Sequence, residues 1–284
     1  MGIYVGIIRE TMEPALSSTS ISGGKVAVVT GGADGIGWAT ARRLAAEVAH
    51  VVIADLRPDA ARERAAELGA AHAGIGCDVT SEASVVALMK EVQERYGRLD
   101  VLVNNAGIGE QPVMTMEQTV EAFDRILAVH LRGTFIASRE AGRFFVRQQS
   151  GAIVNVSSIA GHQGHPGRNA YGAAKAGITT LTEAMASEWG RDGIRVNAVA
   201  PGYVLTELVK DLVAKGALNL ADIEANTPMG RTATPAEIAE AIAFLALDRA
   251  SFITGVTLPV DGGWLAFGAP PAKLGTIAEK RVVL

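Results

Sequence analysis

Three side chains in one short stretch could share a proton: Ser158, Tyr171 and Lys175. Tyr171 and Lys175 are four residues apart, so a helix places them on one face. A Lys ammonium beside a Tyr phenol favours the phenolate and lowers its pKa from about 10. A phenol tuned toward neutrality can take or give a proton during turnover. Ser158 stands thirteen residues before Tyr171, at the end of the apolar run Ala152–Val156. The Pro- and Gly-bearing loop between them can fold the hydroxyl back beside the phenol. Alone, Tyr-x-x-x-Lys is unspecific, because such pairs occur on many surface helices. Its meaning depends on the elements that position it.

The first of these elements is a buried strand, Lys25–Thr30, running into Gly31-Gly32-Ala33-Asp34-Gly35-Ile36-Gly37 and a helical pattern over 38–47. A strand, a glycine turn and a helix N-terminus together form a phosphate cradle, with free N–H groups and the helix dipole facing the anion. Gly31, Asp34, Gly35, Ile36 and Gly37 are its candidate residues. A second strand, Val51–Asp55, ends in a carboxylate followed by Leu56. Asp55 at that position can bind a ribose diol and repel a 2′-phosphate, which favours NAD over NADP. The neighbouring Arg57 argues the other way, and a helix N-cap is the plain structural use of Asp55.

Helix and strand patterns then alternate. A helix over Pro58–Leu68 precedes a strand over His72–Cys77 that leads to Asp78-Val79. Ser81 caps a helix ending at Tyr96-Gly97, and a strand over Leu99–Val103 ends in Asn104-Asn105-Ala106-Gly107. A long helical stretch, Met116–Gln148, leads to strand Ala152–Val156, the helix of Tyr171 up to Trp189, and strand Arg195–Ala200 before Pro201-Gly202. Residues 203–233 are amphipathic without a strand partner and read as a lid or substrate wall, or as an ordinary surface helix. Thr234-Pro235 opens a helix to Leu247, and Val256–Val260 is the last strand. This rhythm predicts an α/β fold with a doubly wound parallel sheet. Ligands in such sheets sit outside the carboxyl ends of the strands, where the glycine turn, Asp55, Asp78, Asn105 and Ser158 all fall.

Composition narrows the function. The chain has 284 residues, 49% hydrophobic and 20% charged, enough for a large core. Its net charge of −4 offers no nucleic-acid surface. The single Cys77 rules out an internal disulfide and a Cys-rich metal site. The early apolar run Ile3–Ile8 is too short for a signal or a spanning helix. We therefore expect a cytoplasmic protein without membrane or nucleic-acid partners and without metal. Residues 1–22 read as an N-terminal extension, 23–264 as the folded domain and 265–284 as a C-terminal extension.

Taken together, Thr30-Gly31-x3-Gly35-Ile36-Gly37, Asp78-Val79, Asn104-Asn105-Ala106-Gly107, Ser158 with Tyr171-x3-Lys175, Pro201-Gly202 with Thr206, and Asp261-Gly262-Gly263 resemble the short-chain dehydrogenase/reductase family over about residues 23–264. The resemblance implies one Rossmann-type domain with a seven-stranded sheet. It also implies NAD(H) or NADP(H) and hydride transfer at a carbonyl or alcohol carbon. By the same likeness Tyr171 is the acid/base, Lys175 lowers its pKa and holds the nicotinamide ribose, and Ser158 binds the substrate oxygen. Val204 and Thr206 would touch the carboxamide, Asp78 and Val79 the adenine, and Asn105, Ala106 and Gly107 the adenosine. A homotetramer or dimer through the long helices and the last strand is implied too.

The chain departs from the pattern twice. His130 stands where the family usually has an Asn tied to a helix kink, whose freed carbonyl holds a water linked to the Lys. His130 either packs or joins that proton relay. The first helix ends at Val48, which lacks an easy left-handed cap. The expected activity is NAD(H)-dependent interconversion of a secondary alcohol and a ketone. The alternatives are an NADPH-dependent 3-oxoacyl-thioester reductase and, from another class, a dinucleotide-binding regulator without turnover. His162 and His165 read as loop residues at the substrate mouth, and Glu110 as a pocket or a solvated loop residue.

Overall fold

A computed structural model describes residues 24–267, except Gln111, Ala217 and the side chain of Leu208. The expected N-terminal extension lies outside the described residues, as does all but the start of the C-terminal one. Seven strands form one parallel sheet: β1 (Val26–Thr30), β2 (His50–Asp55), β3 (Ala73–Gly76), β4 (Val101–Asn104), β5 (Gly151–Val156), β6 (Ile194–Pro201) and β7 (Thr257–Val260), in the order β3-β2-β1-β4-β5-β6-β7. The order reverses between β1 and β4, the switch point at which a ligand crevice opens.

The helices are α1 (Gly35–Ala45), α2 (Pro58–Leu68), α3 (Glu82–Tyr96), α4 (Val120–Leu127), α5 (Gly133–Gln148), α6 (Asn169–Trp189), α7 (Glu207–Ala214), α8 (Leu220–Ala225) and α9 (Pro235–Ala246). Successive strand residues are buried on opposite faces. Ala27, Val29, Val51, Ile53, Val101 and Val103 pack with α1 and α9 residues such as Leu44 and Ile242. Val28, Val52, Leu102, Ile153 and Val196 pack with α3 and α5 residues such as Leu88 and Phe145. Two covered faces explain why the strands read as continuous apolar runs rather than alternating ones.

Local signals hold. Ser81 accepts from the Ser84 N–H at the start of α3, Gly97 ends that helix in the left-handed region (φ 69°), and Thr234 with Glu237 forms a capping box on α9. Three expectations change. The stretch over 116–148 is not one helix: Thr119 caps a start at Val120, and a five-residue π turn, Ala128–Arg132, separates α4 from α5. Residues 203–233 hold two short helices, and Val204 does have a parallel bridge partner, Ala233. The end of α1 needs no left-handed residue, because the N–H groups of Glu47 and Val48 both donate to Leu44 O (2.8 and 2.9 Å) and Val48 is buried.

A buried polar chain sets the register of the elements that carry Tyr171 and Lys175. Asn104 Nδ2 donates to Ser138 Oγ on α5 and to Asn155 Oδ1 on β5, both at 2.9 Å. Asn155 Nδ2 donates to Thr182 Oγ1 on α6 at 2.8 Å. Every member is paired, so the network specifies one arrangement of α5, β4, β5 and α6.

Candidate active site

α6 brings Tyr171 and Lys175 to the carboxyl edge of the sheet, and β5 delivers Ser158 to the same place. Ser158 caps a single 3₁₀ turn, Ile159–Gly161, its Oγ accepting from the Ala160 N–H at 3.1 Å. That turn lies tightly on α6: a Cβ at Gly161 would stand 2.8 Å from the carbonyl carbon of Lys175. Ser157 Oγ donates to Lys175 O at 2.9 Å and fixes the same turn of the helix. Ser158 (8% exposed) and Lys175 (4%) are buried and Tyr171 is partly so.

The electrostatics differ from the simple pairing expected of Tyr171 and Lys175. Lys175 Nζ donates to Val156 O at 2.6 Å and lies 5.4 Å from the centre of the Tyr171 ring. Burial lowers the Lys175 pKa to about 7. Burial also raises the Tyr171 phenol above its ordinary value; the Ser158 hydroxyl and the Arg168 charge pull it down, and Glu110 pushes it up. The surroundings therefore do not favour the phenolate over the phenol. A carbonyl has taken the ammonium, and desolvation outweighs the nearby donors.

The glycine turn faces this group across the switch point. Gly31 and Gly35 have φ of 59° and 51°, where a side chain is strained. A Cβ at Gly31 would lie 2.8 Å from Ala106 Cα, and one at Gly37 would lie 2.5 Å from Asn105 Nδ2. Asp34 caps α1, accepting from the Gly35 N–H at 2.7 Å. The partly buried Ile36 packs on the core below the turn. Asn105 Nδ2 donates to Thr30 O (3.0 Å) and Gly31 O (2.9 Å), so this side chain holds the turn in shape. Thr30 Oγ1, part of the glycine motif but given no role from the sequence, accepts from the Asn105 and Ala106 N–H groups at 3.1 Å each.

Asp55 is buried. One oxygen accepts from the Ala33 N–H (3.2 Å), and the other from the N–H (3.1 Å) and Nε (3.2 Å) of Arg57. The exposed Leu56 follows it. Asp78 accepts from the N–H and Oγ1 of Thr80, while Val79 packs over Gly133. At the other end of the crevice, Gly202 packs on Asp261 just after Pro201 ends β6. Val204 is buried, and Thr206 caps α7, its methyl 3.4 Å from where a Gly35 Cβ would stand. A glycine turn closed to side chains at Gly31 and Gly37, a helix N-terminus and an acidic strand end suit a dinucleotide. Gly31–Gly37 would hold its phosphates and Asp55 its adenosine ribose.

His130 occupies the middle of the π turn and is 3% exposed. Its Nε2 lies 2.9 Å from Ile108 O and 3.2 Å from Ile108 N, and its ring meets that of Tyr171 edge-on at 5.2 Å. Nδ1 is buried without a partner. Burial and the Lys175 charge lower its pKa to about 3, so the ring is neutral. The backbone kinks here as expected, but the His130 carbonyl accepts from Thr134 Oγ1 at 2.7 Å. Gly107 is obligatory beside it, since a Cβ there would meet His130 Cε1 at 2.6 Å.

The fold agrees with the comparisons to known proteins. A family model described as enoyl-(acyl carrier protein) reductase matches residues 31–265. A short-chain type dehydrogenase/reductase of Sinorhizobium fredii is 43% identical over 255 residues, covering 90% of this chain, which spans 46% of that longer protein. The cis-4-hydroxycyclohexanecarboxylate dehydrogenase of Sinomonas cyclohexanicum is 48% identical over 244 residues, 85% of this chain and 97% of that one. The crystal structure of levodione reductase superposes with a TM-score of 0.80 at 35% identity, covering 85% of this chain and 98% of that one. With its parallel sheet, glycine cradle and Ser158, Tyr171 and Lys175 on one edge, the chain belongs to the short-chain dehydrogenase/reductase family.

Proposed function

We propose that the protein is an NAD(H)-dependent oxidoreductase interconverting a secondary alcohol and a ketone, with Tyr171 as general acid/base. The observation that carries this reading is the meeting of Ser158, Tyr171 and Lys175 at the end of β5, opposite the glycine turn after β1. The bound nicotinamide would accept or supply the hydride. Tyr171 takes the hydroxyl proton in oxidation and returns it in reduction. Ser158 and Tyr171 are donors already placed toward the substrate oxygen, so they need little reorganisation as charge develops there. Lys175, held on Val156 O, places its ammonium near the phenol, and while it is protonated that charge favours the phenolate.

Asp55 supports NAD over NADP. Its carboxylate is buried at the end of β2, and Arg57, the cation beside it that argues for a 2′-phosphate, is paired to it. A ring-borne secondary alcohol is the first substrate class to test, since the relative at 48% identity is named for a hydroxycyclohexane carboxylate. Self-association through the long helices belongs to the same reading.

The test is a panel of cyclic alcohols, hydroxysteroids, sugars and hydroxyacyl thioesters with NAD and with NADP, followed by nicotinamide absorbance. Turnover of a cyclic alcohol, with kcat/KM at least about tenfold higher for NAD, is expected; that margin is about 1.4 kcal/mol of discrimination. Strong NADP preference with an acyl thioester would replace this reading with a 3-oxoacyl-thioester reductase. Cofactor binding without turnover of any compound would favour a non-catalytic regulator.

A further inference from the structure

Helix α6 carries the proposed acid/base yet begins without a cap of its own. The residue before it, Arg168, makes no side-chain cap hydrogen bond. Asn169 Oδ1 accepts from the Ala170 N–H at 3.1 Å, and the first intrahelical bond runs from Gly172 N to Arg168 O at 2.9 Å. That leaves the N–H of Tyr171 itself to be satisfied. Its acceptor comes from a different part of the chain. Glu110, in the loop after β4, accepts it on Oε2 at 3.1 Å, while Oε1 accepts from Gln118 Nε2 at 2.8 Å.

Glu110 is only 9% exposed. A buried carboxylate is costly unless both oxygens are paired, and here a helix N-terminus and an amide pair them. The same loop is tied to the start of α6 twice more, by Val113 N donating to Gly167 O (3.0 Å) and Asn169 Nδ2 to Thr115 Oγ1 (3.1 Å). Loop 108–118 and the first turn of α6 therefore form one unit with Glu110 at its centre.

We infer that Glu110 is a positioning residue for Tyr171: its buried carboxylate supplies the missing cap of α6 and holds the phenol in place across the loop. This rests on the reading of Tyr171 as the acid/base. The groups facing the phenol are Ser158 beyond β5, Lys175 on its own helix, Arg168 before it, the neutral His130 from the π turn, and Glu110. Of these, Glu110 is the one carboxylate and opposes the phenolate.

The test compares Glu110→Gln with Glu110→Ala. The Gln side chain keeps an acceptor for the Tyr171 N–H, and the Ala side chain does not. In the cofactor-free protein, amide hydrogen exchange over 167–176 is expected to quicken roughly 5- to 10-fold in Glu110→Ala, the size of a lost N-cap. It stays near the parent rate in Glu110→Gln. In turnover, Glu110→Ala lowers kcat with little change in KM for the cofactor, and Glu110→Gln restores most of kcat. Glu110→Gln also moves the rising limb of the kcat/KM profile for alcohol oxidation to lower pH, because a negative charge has left the phenol. Parent-like exchange and kcat in Glu110→Ala, or a Glu110→Gln variant no better than Glu110→Ala with an unmoved profile, would overturn the inference. If Glu110→Ala does not fold, exchange and pH profile of Glu110→Gln decide it alone. Absence of turnover in the parent with every substrate tested would instead count against the proposed activity and leave the exchange result to judge the cap.

Discussion

Burial pulls the Lys175 pKa down to about 7, and an unfolded lysine titrates near 10.4. Below about pH 7 both states are charged and the folded one bears the full desolvation penalty. Between about 7 and 10.4 the unfolded chain holds a proton that the folded chain has lost, so this group's penalty fades as pH rises. Lys175→Met should therefore raise Tm relative to the parent at about pH 6, the gap closing toward pH 10, while kcat/KM falls by at least about 10². Melting curves across pH, with steady-state rates, check both halves. His130 runs in the same direction over a lower window. With a folded pKa of about 3 and an unfolded one near 6.5, stability is lost as pH falls through that interval. His130→Asn should flatten this acid limb and leave the positions of the pH–rate limbs unchanged, because the ring is neutral throughout the working range. A profile that moves would return His130 to the proton relay. Tyr171→Phe keeps the ring packing and removes the hydroxyl, and should lower kcat/KM by about 10²- to 10⁴-fold without loss of fold.

At the scale of elements, the turn after β1 has no room for a side chain at Gly31 or Gly37. Gly37→Ala would drive a methyl into the Asn105 amide that holds Thr30 O and Gly31 O. Dinucleotide affinity, measured by calorimetry, should drop more than about tenfold, since a distorted cradle misaims its N–H groups. The end of α5 points the other way. Gln149 is the one described non-glycine with positive φ, at 54°. Gln149→Gly should stabilise the protein by about 0.5–1 kcal/mol in urea unfolding, the cost of a side chain in the left-handed region, less the contribution of the Gln149 Nε2 bond to Val146 O. Caps at Ser81, Gly97 and Thr234 were legible because a cap is a local event, decided within four residues. The π turn at Ala128–Arg132 was legible only through the resemblance, which tied position 130 to a helix kink, and not from local signals. No breaker marks it, and the extra residue is set from outside by Gly107 against His130 and Val79 against Gly133.

For the whole molecule, α5 shows what a single copy leaves uncovered. Phe135 and Val146 are 44% and 41% exposed. They are eleven residues apart, three helical turns, and so share one face. Sedimentation velocity should find more than one copy per particle, and Phe135→Glu with Val146→Glu should shift the distribution toward the single chain. A parent that sediments as one copy would remove self-association from the proposed function. Among the described residues no helix is long and apolar enough to cross a membrane.

The strands, the glycine cradle and Tyr171-x3-Lys175 were legible from the sequence because each is a pattern of neighbours. Burial on both sheet faces imposes apolar runs, close backbone approach demands glycine, and spacing of four puts two side chains on one helix face. The state of the groups at the site was decided only by the tertiary structure. Whether Lys175 meets the phenol or Val156 O, whether the phenol is raised or lowered, and where the cap of α6 comes from all depend on distances between segments far apart in the chain. Glu110 read equally well as pocket or solvated loop, because a carboxylate's burial and partners cannot be inferred from its neighbours in sequence. The crevice gathered Ser158, Tyr171 and Lys175 as their spacing required, and the desolvation that comes with folding set their charges.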